Sequence, residues 1–212
     1  MDSDRFIRTS GIRCLIGGSI VATGAAVGGL FPASVPTTAT SYPYTPEVFR
    51  FTQVVWAACH VLVFLGTLGL VRSDAAGASG PGRVGGWLAL VAMALIPPLE
   101  LAFVPFAIET VESGPGMVPG STLGLTATVA GLGFVLVDIA VLRARRWEGW
   151  HRFRPHSSGL IVLVLMTPVA MIRPDLFIWT LAIWNLRLAL LGLALAQEYP
   201  GMSRAALSSA AS

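Results

Sequence analysis

A chain of 212 residues of which only 12% are charged cannot assemble a water-soluble surface, because an ordinary soluble domain devotes about 25% of its residues to charge. With a mean hydropathy of +0.73, the sequence reads as an all-helical membrane protein: one compact bundle and no appended soluble domain. All 14 basic residues are Arg, which excludes chemistry needing a lysine Schiff base.

Residues 1–13 form a polar tail with Arg5, Arg8 and Arg13, expected in the cytoplasm. A first apolar span of about 18 residues follows at 14–31. Its small residues Gly18, Ala22 and Ala26 recur at helical spacing, with Gly24 and Gly28 alongside, so a neighbouring helix can come close. A cleaved signal peptide is the rival reading of this segment.

Residues 32–50 read as an irregular cap at the membrane interface, rich in Pro and carrying Tyr42, Tyr44 and Phe49. The second span, 51–71, matches the hydrocarbon thickness. Gln53, Trp56, His60 and Thr67 fall on one stripe within about 60° of each other, which should face the protein interior. A Gly/Ser/Ala-rich connection then leads to the third span, about 85–106. It contains Pro97 and Pro98, which lack the N–H groups that would bond Met93 and Ala94, so a kink is expected there. Glu100 follows within a turn.

The fourth span, 121–142, pairs Ala127 with Gly131 in a small-xxx-small relation. Asp138 lies near its end, where it can reach Arg145 or lipid headgroups. Arg143, Arg145, Arg146, Arg152 and Arg154, interleaved with Trp147, Trp150 and Phe153, suit anchorage at anionic headgroups of a cytoplasmic leaflet. The fifth run, 157–172, is short and contains Pro168, so a re-entrant segment competes with a full span. A turn at Arg173-Pro174-Asp175 introduces the sixth span, 176–196. The tail 197–212 is small and polar and is expected to be flexible.

The even-numbered connections and both tails hold 11 Arg against 2 in the odd-numbered connections. The positive-inside rule therefore places both termini in the cytoplasm. Abundant Ala, Gly and Arg with no Lys suggests a bacterial source, and hence a multi-pass protein of the inner membrane.

An ionisable group at the centre of a membrane helix costs about 2.5–3.5 kcal/mol, so such groups should face inward and pair. At about 1.5 Å per residue, Glu100, His60 and Arg187 lie roughly 9, 14 and 16 Å deep, sharing one layer. Side chains lean toward their helix N-terminus, which brings Glu100 and Arg187 to one level. A Glu100–Arg187 ion pair follows as an expectation, with His60, Gln53 and Asn185 supplying hydrogen bonds beneath the 32–50 loop.

These five residues are the candidates for a ligand site or proton pathway. No catalytic residue, metal site or cofactor is expected. A b-type haem needs two axial ligands at one level, and His60 is the sole histidine in the spans. No HExxH or GxSxG is present. Cys14 and Cys59 would sit roughly 13 Å apart along the membrane normal, too far for a disulfide. Nucleic acid is not an expected partner, since the Arg residues flank apolar runs.

Three functions stay open: a binding or transport module for a small polar or amphipathic molecule; a non-catalytic assembly subunit, homo- or hetero-oligomeric through Gly/Ala faces, whose buried ion pair is only structural; and an intramembrane enzyme acting on a lipid-like substrate.

Overall fold

The computed structural model describes residues 3–73, 75–77, 79–110, 114–144 and 158–209, with side chains described as far as Gln197. The chain is all-helical among these residues. Helices α1 (Ser3–Leu30), α2 (Pro46–Arg72), α3 (Gly80–Phe103) and α4 (Met117–Ala144) precede a broken segment, α5 (Ser158–Ile172), and a last long helix, α6 (Phe177–Ser209). Five segments, belonging to α1 to α4 and α6, are long and apolar enough to cross a membrane.

The starts of two helices follow from local chemistry. Thr45 accepts a hydrogen bond from the Val48 amide and Pro46 opens α2. Ser79 accepts from the Gly82 amide at 3.2 Å and Pro81 lies in the first turn of α3. Each arrangement satisfies an amide that the helix leaves without a partner. α3 runs through Pro97 and Pro98 to Phe103, then tightens into a 3-10 turn at Val104–Phe106.

α2, α3 and α4 each begin four or five residues before the expected spans, and the largest differences from the sequence reading lie at the two ends. α1 is helical from Ser3, well before its apolar run, and α6 continues to Ser209 through a stretch expected to be a flexible tail. Ala, Leu, Met and Arg in that stretch favour a helix, but Pro200 and Gly201 oppose it, so propensity alone does not explain the continuation.

Neighbouring helices run antiparallel. Gly11 and Gly18 of α1 face Gly192 and Ala189 of α6, Gly17 faces the Cys59 carbonyl of α2, and Gly85 of α3 meets Gly133 of α4. α5 lies between α4, where Gly159 meets Val135, and α6. The order α6, α1, α2, α3, α4, α5 therefore closes into a ring. Of the glycines expected to allow close approach on α1, Gly18 does so, together with Gly11 and Gly17, against α6 and α2 of the same chain, whereas Gly24 and Gly28 face the side chains of Trp56 and Tyr44. No side chain fits between backbones at these crossings: a Cβ on Gly18 would lie 2.7 Å from the Ala189 amide nitrogen.

Ser3 and the C-terminal part of α6 lie at one end of the bundle, together with the turn between α2 and α3, where Arg72 stacks on Phe6 at 4.6 Å. The opposite end is capped. The Thr40 amide donates to the Glu109 carbonyl at 2.9 Å, joining the 31–45 loop to the segment after α3, and Phe49 meets Phe103 edge-on at 5.6 Å.

α5 departs from α-helical geometry over Ile161–Met166, where bonding is of the π type and the Thr167 amide reaches the Val162 carbonyl. Pro168 has no N–H to offer the preceding turn, and a widened turn is one way to accommodate that loss. Cys14 and Cys59 are free thiols, and Cys14 donates to the Leu188 carbonyl at 3.2 Å.

Candidate functional site

α2 brings its polar stripe into the bundle: Gln53, Trp56, His60 and Thr67 are all buried. A period of 3.6 residues puts these positions on one face, and α2 has neighbours on both flanks, α1 and α3. His60, 1% exposed, is the centre of the arrangement. Its Nδ1 lies 2.8 Å from Glu100 Oε1 on α3, and its Nε2 lies 3.2 Å from Asn185 Oδ1 on α6.

Asn185 fixes the histidine tautomer. Its Nδ2 donates to the Leu181 carbonyl at 3.1 Å, so its Oδ1 must be the atom that faces His60. An amide oxygen only accepts, so Nε2 carries a hydrogen and donates. A proton held between Nδ1 and Oε1 would make the pair either imidazolium with carboxylate or neutral imidazole with carboxylic acid. Either of these two forms would carry no net charge. The contact is short, but Oε1 lies off the direction of a straight Nδ1 hydrogen bond: no well-aligned hydrogen bond is made at Nδ1. It is a close contact that lacks hydrogen-bond alignment.

The other oxygen of the carboxyl, Oε2, is buried with no hydrogen-bond partner, as is Gln53 Oε1 two turns toward the capped end. Two buried acceptors without donors cost about 1–3 kcal/mol each. Trp184 Nε1, in the same layer, is a buried donor that likewise has no partner. Trp184 packs its ring beside His60, with centroids 6.3 Å apart, and closes the layer on the α6 side. Nothing in the sequence pattern singled out Trp184, because an aromatic next to Asn185 reads equally well as lipid-facing.

The expected Glu100–Arg187 ion pair is corrected: Glu100 pairs with His60. Arg187 is half-buried and forms no ion pair with any described residue. The reason is helical phase. At 100° per residue Arg187 is rotated by roughly 200° from Asn185 about the α6 axis, so its level is right and its direction is wrong. Asp138 is also corrected. It is 5% exposed and turned into the bundle, and its Oδ2 has no partner, in place of the expected reach toward headgroups.

Arg143 is exposed at the end of α4. Arg145, Arg146, Trp147, Trp150, Arg152 and Arg154 lie outside the described residues. At the turn before α6, Arg173 and Asp175 form an exposed bidentate pair, 2.9 and 2.7 Å, and the carboxylate holds the guanidinium protonated to higher pH than usual.

A cleft of about 410 Å³ opens between the capped ends of α1 and α2 under the 31–45 loop. Its walls are mostly apolar and include Ile20, Val27, Tyr44, Phe51 and Val55, and Trp56 also lines it. Tyr44 is half-buried against Gly28, and this burial pushes its phenol pKa up. Trp56 occupies the turn of α2 next to His60, so the cleft ends one helical turn from the polar layer. Sequence reasoning missed this cleft, because it arises from how two helices diverge.

Among the described residues, no three His, Cys, Asp or Glu side chains converge as a metal site requires. No protein-family model matches the chain, and neither a curated protein nor a solved structure matches it.

Proposed function

We propose that this integral membrane protein binds, and passes across the bilayer, a small amphipathic molecule bearing a hydrogen-bond donor. The unpartnered Glu100 Oε2 carries the reading: it is a buried carboxyl oxygen without a donor, on the residue that meets His60 at the centre of the polar layer. A donor on the ligand would complete the carboxyl, and its apolar part would lie in the cleft lined by Trp56 and Tyr44. Intramembrane carboxylates and histidines are costly and mark substrate or proton pathways. A proton taken up between His60 and Glu100 would give such a pathway an element that changes charge, and the amide hydrogens missing at Pro97 and Pro98 give α3 a point at which to bend.

In this reading the chain crosses the membrane six times with both termini in the cytoplasm, as the Arg distribution indicates. α5 is the short crossing that returns the chain from α4 to the capped end. The capped end faces outward, so the cleft opens in the outer leaflet of a bacterial inner membrane, and the Arg/Trp loop after α4 lies at anionic headgroups inside.

The test is water access. Cys14 and Cys59 are replaced by Ser, single cysteines are placed at positions 53, 56 and 60, and a membrane-impermeant thiol reagent is added from outside, with Gly80→Cys as a control on the opposite end. Labelling at 53 and 60 that a Glu100→Gln variant alters is the expected outcome. Protection at all three positions in a folded protein means a dry, structural pair and defeats the proposal.

A further inference from the structure

Of the ionisable groups well inside the apolar helices, His60, Glu100 and Asp138 are buried within the bundle, whereas Arg187 stands at its perimeter. It is half-buried, and no described residue gives it a hydrogen bond or an ion pair. Its position is near the middle of the apolar part of α6, about 15 Å from Phe177 and about 15 Å from Gln197 along the axis. A three-methylene stem does not bring a guanidinium from there to the headgroups on either side. Beside it runs a ridge of exposed apolar side chains, Trp179, Ile183 and Leu186, at the i, i+4, i+7 spacing by which one helix seats against another.

We infer that this face of α6 docks a transmembrane helix of a different protein that carries a carboxylate at mid-membrane depth. Charge complementarity identifies the occupant. A guanidinium at the centre of a membrane helix is expensive, and a carboxylate at the same depth removes the expense through a bidentate pair that only Arg forms well. A second copy of this chain does not supply that acid. Glu100 is engaged by His60, and Asp138 is turned into its own bundle. The glycine faces, the other surfaces suited to helix association, are largely occupied by helices of the same chain. The inference does not rest on the ligand reading, because Arg187 and the His60 layer occupy different sides of α6.

The test uses the full-length protein, labelled with a donor fluorophore, in phosphatidylcholine vesicles. The probe is a synthetic transmembrane helix of Leu and Ala with one central Asp, labelled with an acceptor. Helices with Asn or Leu in place of the Asp are the controls. The Asp helix is expected to associate with the wild type at least tenfold more tightly than either control does. Arg187→Leu should remove that preference, and Arg187→Lys should retain part of it.

Equal association of all three helices, or Asp-helix association unchanged in Arg187→Leu, overturns the inference. Energy transfer between copies of the wild type that Arg187→Leu abolishes assigns the face to self-association instead. Loss of Asp-helix binding when a third of the lipid is replaced by phosphatidylglycerol assigns the guanidinium to lipid phosphate.

Discussion

The seam between α1 and α6 and the opening between α1 and α2 use one helix in opposite ways. Along the first half of α1, Gly11 and Gly18 let backbones meet, and a Cβ at either position would lie 2.7 Å from an atom of the α6 backbone. Toward the capped end the residues facing α1 become large: Trp56 faces Gly24, Tyr44 faces Gly28, and the cleft appears. Glycine is present in both halves. What differs is whether backbone or an aromatic ring stands opposite, and that decides whether the helices seal or diverge.

The sealed half should be the harder to alter. Gly18→Leu places a branched side chain against the α6 backbone, and a loss of about 3 kcal/mol or more is expected, read as a lowered melting temperature and loss of the monodisperse species. In the polar layer that lies between the two regions, His60→Leu leaves Glu100 buried with neither oxygen paired, at a cost of about 1–3 kcal/mol. The double variant His60→Leu/Glu100→Leu should recover most of that loss, since replacing both partners by apolar groups removes the unpaired charge. A double variant no more stable than His60→Leu would mean that the pair organises more than its own two side chains.

At the open end, Trp56→Ala extends the cleft toward His60 and should raise the labelling rate of a cysteine at position 60. Unchanged labelling would show that the cleft and the layer are separated by more than this ring. The smallest effect is expected at Gly24→Ala, where the nearest atom to a new Cβ is Trp56 Nε1 at 3.6 Å. A change within about 1 kcal/mol, in the stabilising direction through helix propensity, follows from the available space. A cost as large as that of Gly18→Leu would erase the distinction between the two halves.

Relative level along the bundle axis was legible in the sequence, and direction around the helix axis was not. Hydropathy and residue counting brought His60 and Glu100 to one level, and the stripe on α2 is buried as its spacing implies. α6 carries two polar groups two residues apart, Asn185 and Arg187, on opposite faces. Charge favoured Arg187 as the inward one, while packing against α1 and α2 selects Asn185. For the same reason the ladder on α1 was readable as a close-packing surface, but its main partner, the most distant helix in sequence, was not. The cleft left no mark in the sequence, since it depends on the divergence of two helices beneath a loop.

The pairing of α1 with α6 has a consequence for biogenesis. α1 leaves the ribosome well before the helix that covers its glycine face, since about 150 residues separate the two. At about 5–20 residues per second, roughly ten to thirty seconds separate the two. During that interval Gly11 and Gly18 have no partner helix from their own chain. The nascent protein must hold this groove against lipid or against the insertion machinery until α6 has been made. The order of assembly therefore opposes the order of synthesis: the N-terminal hairpin forms early, and the ring closes only when α6 arrives.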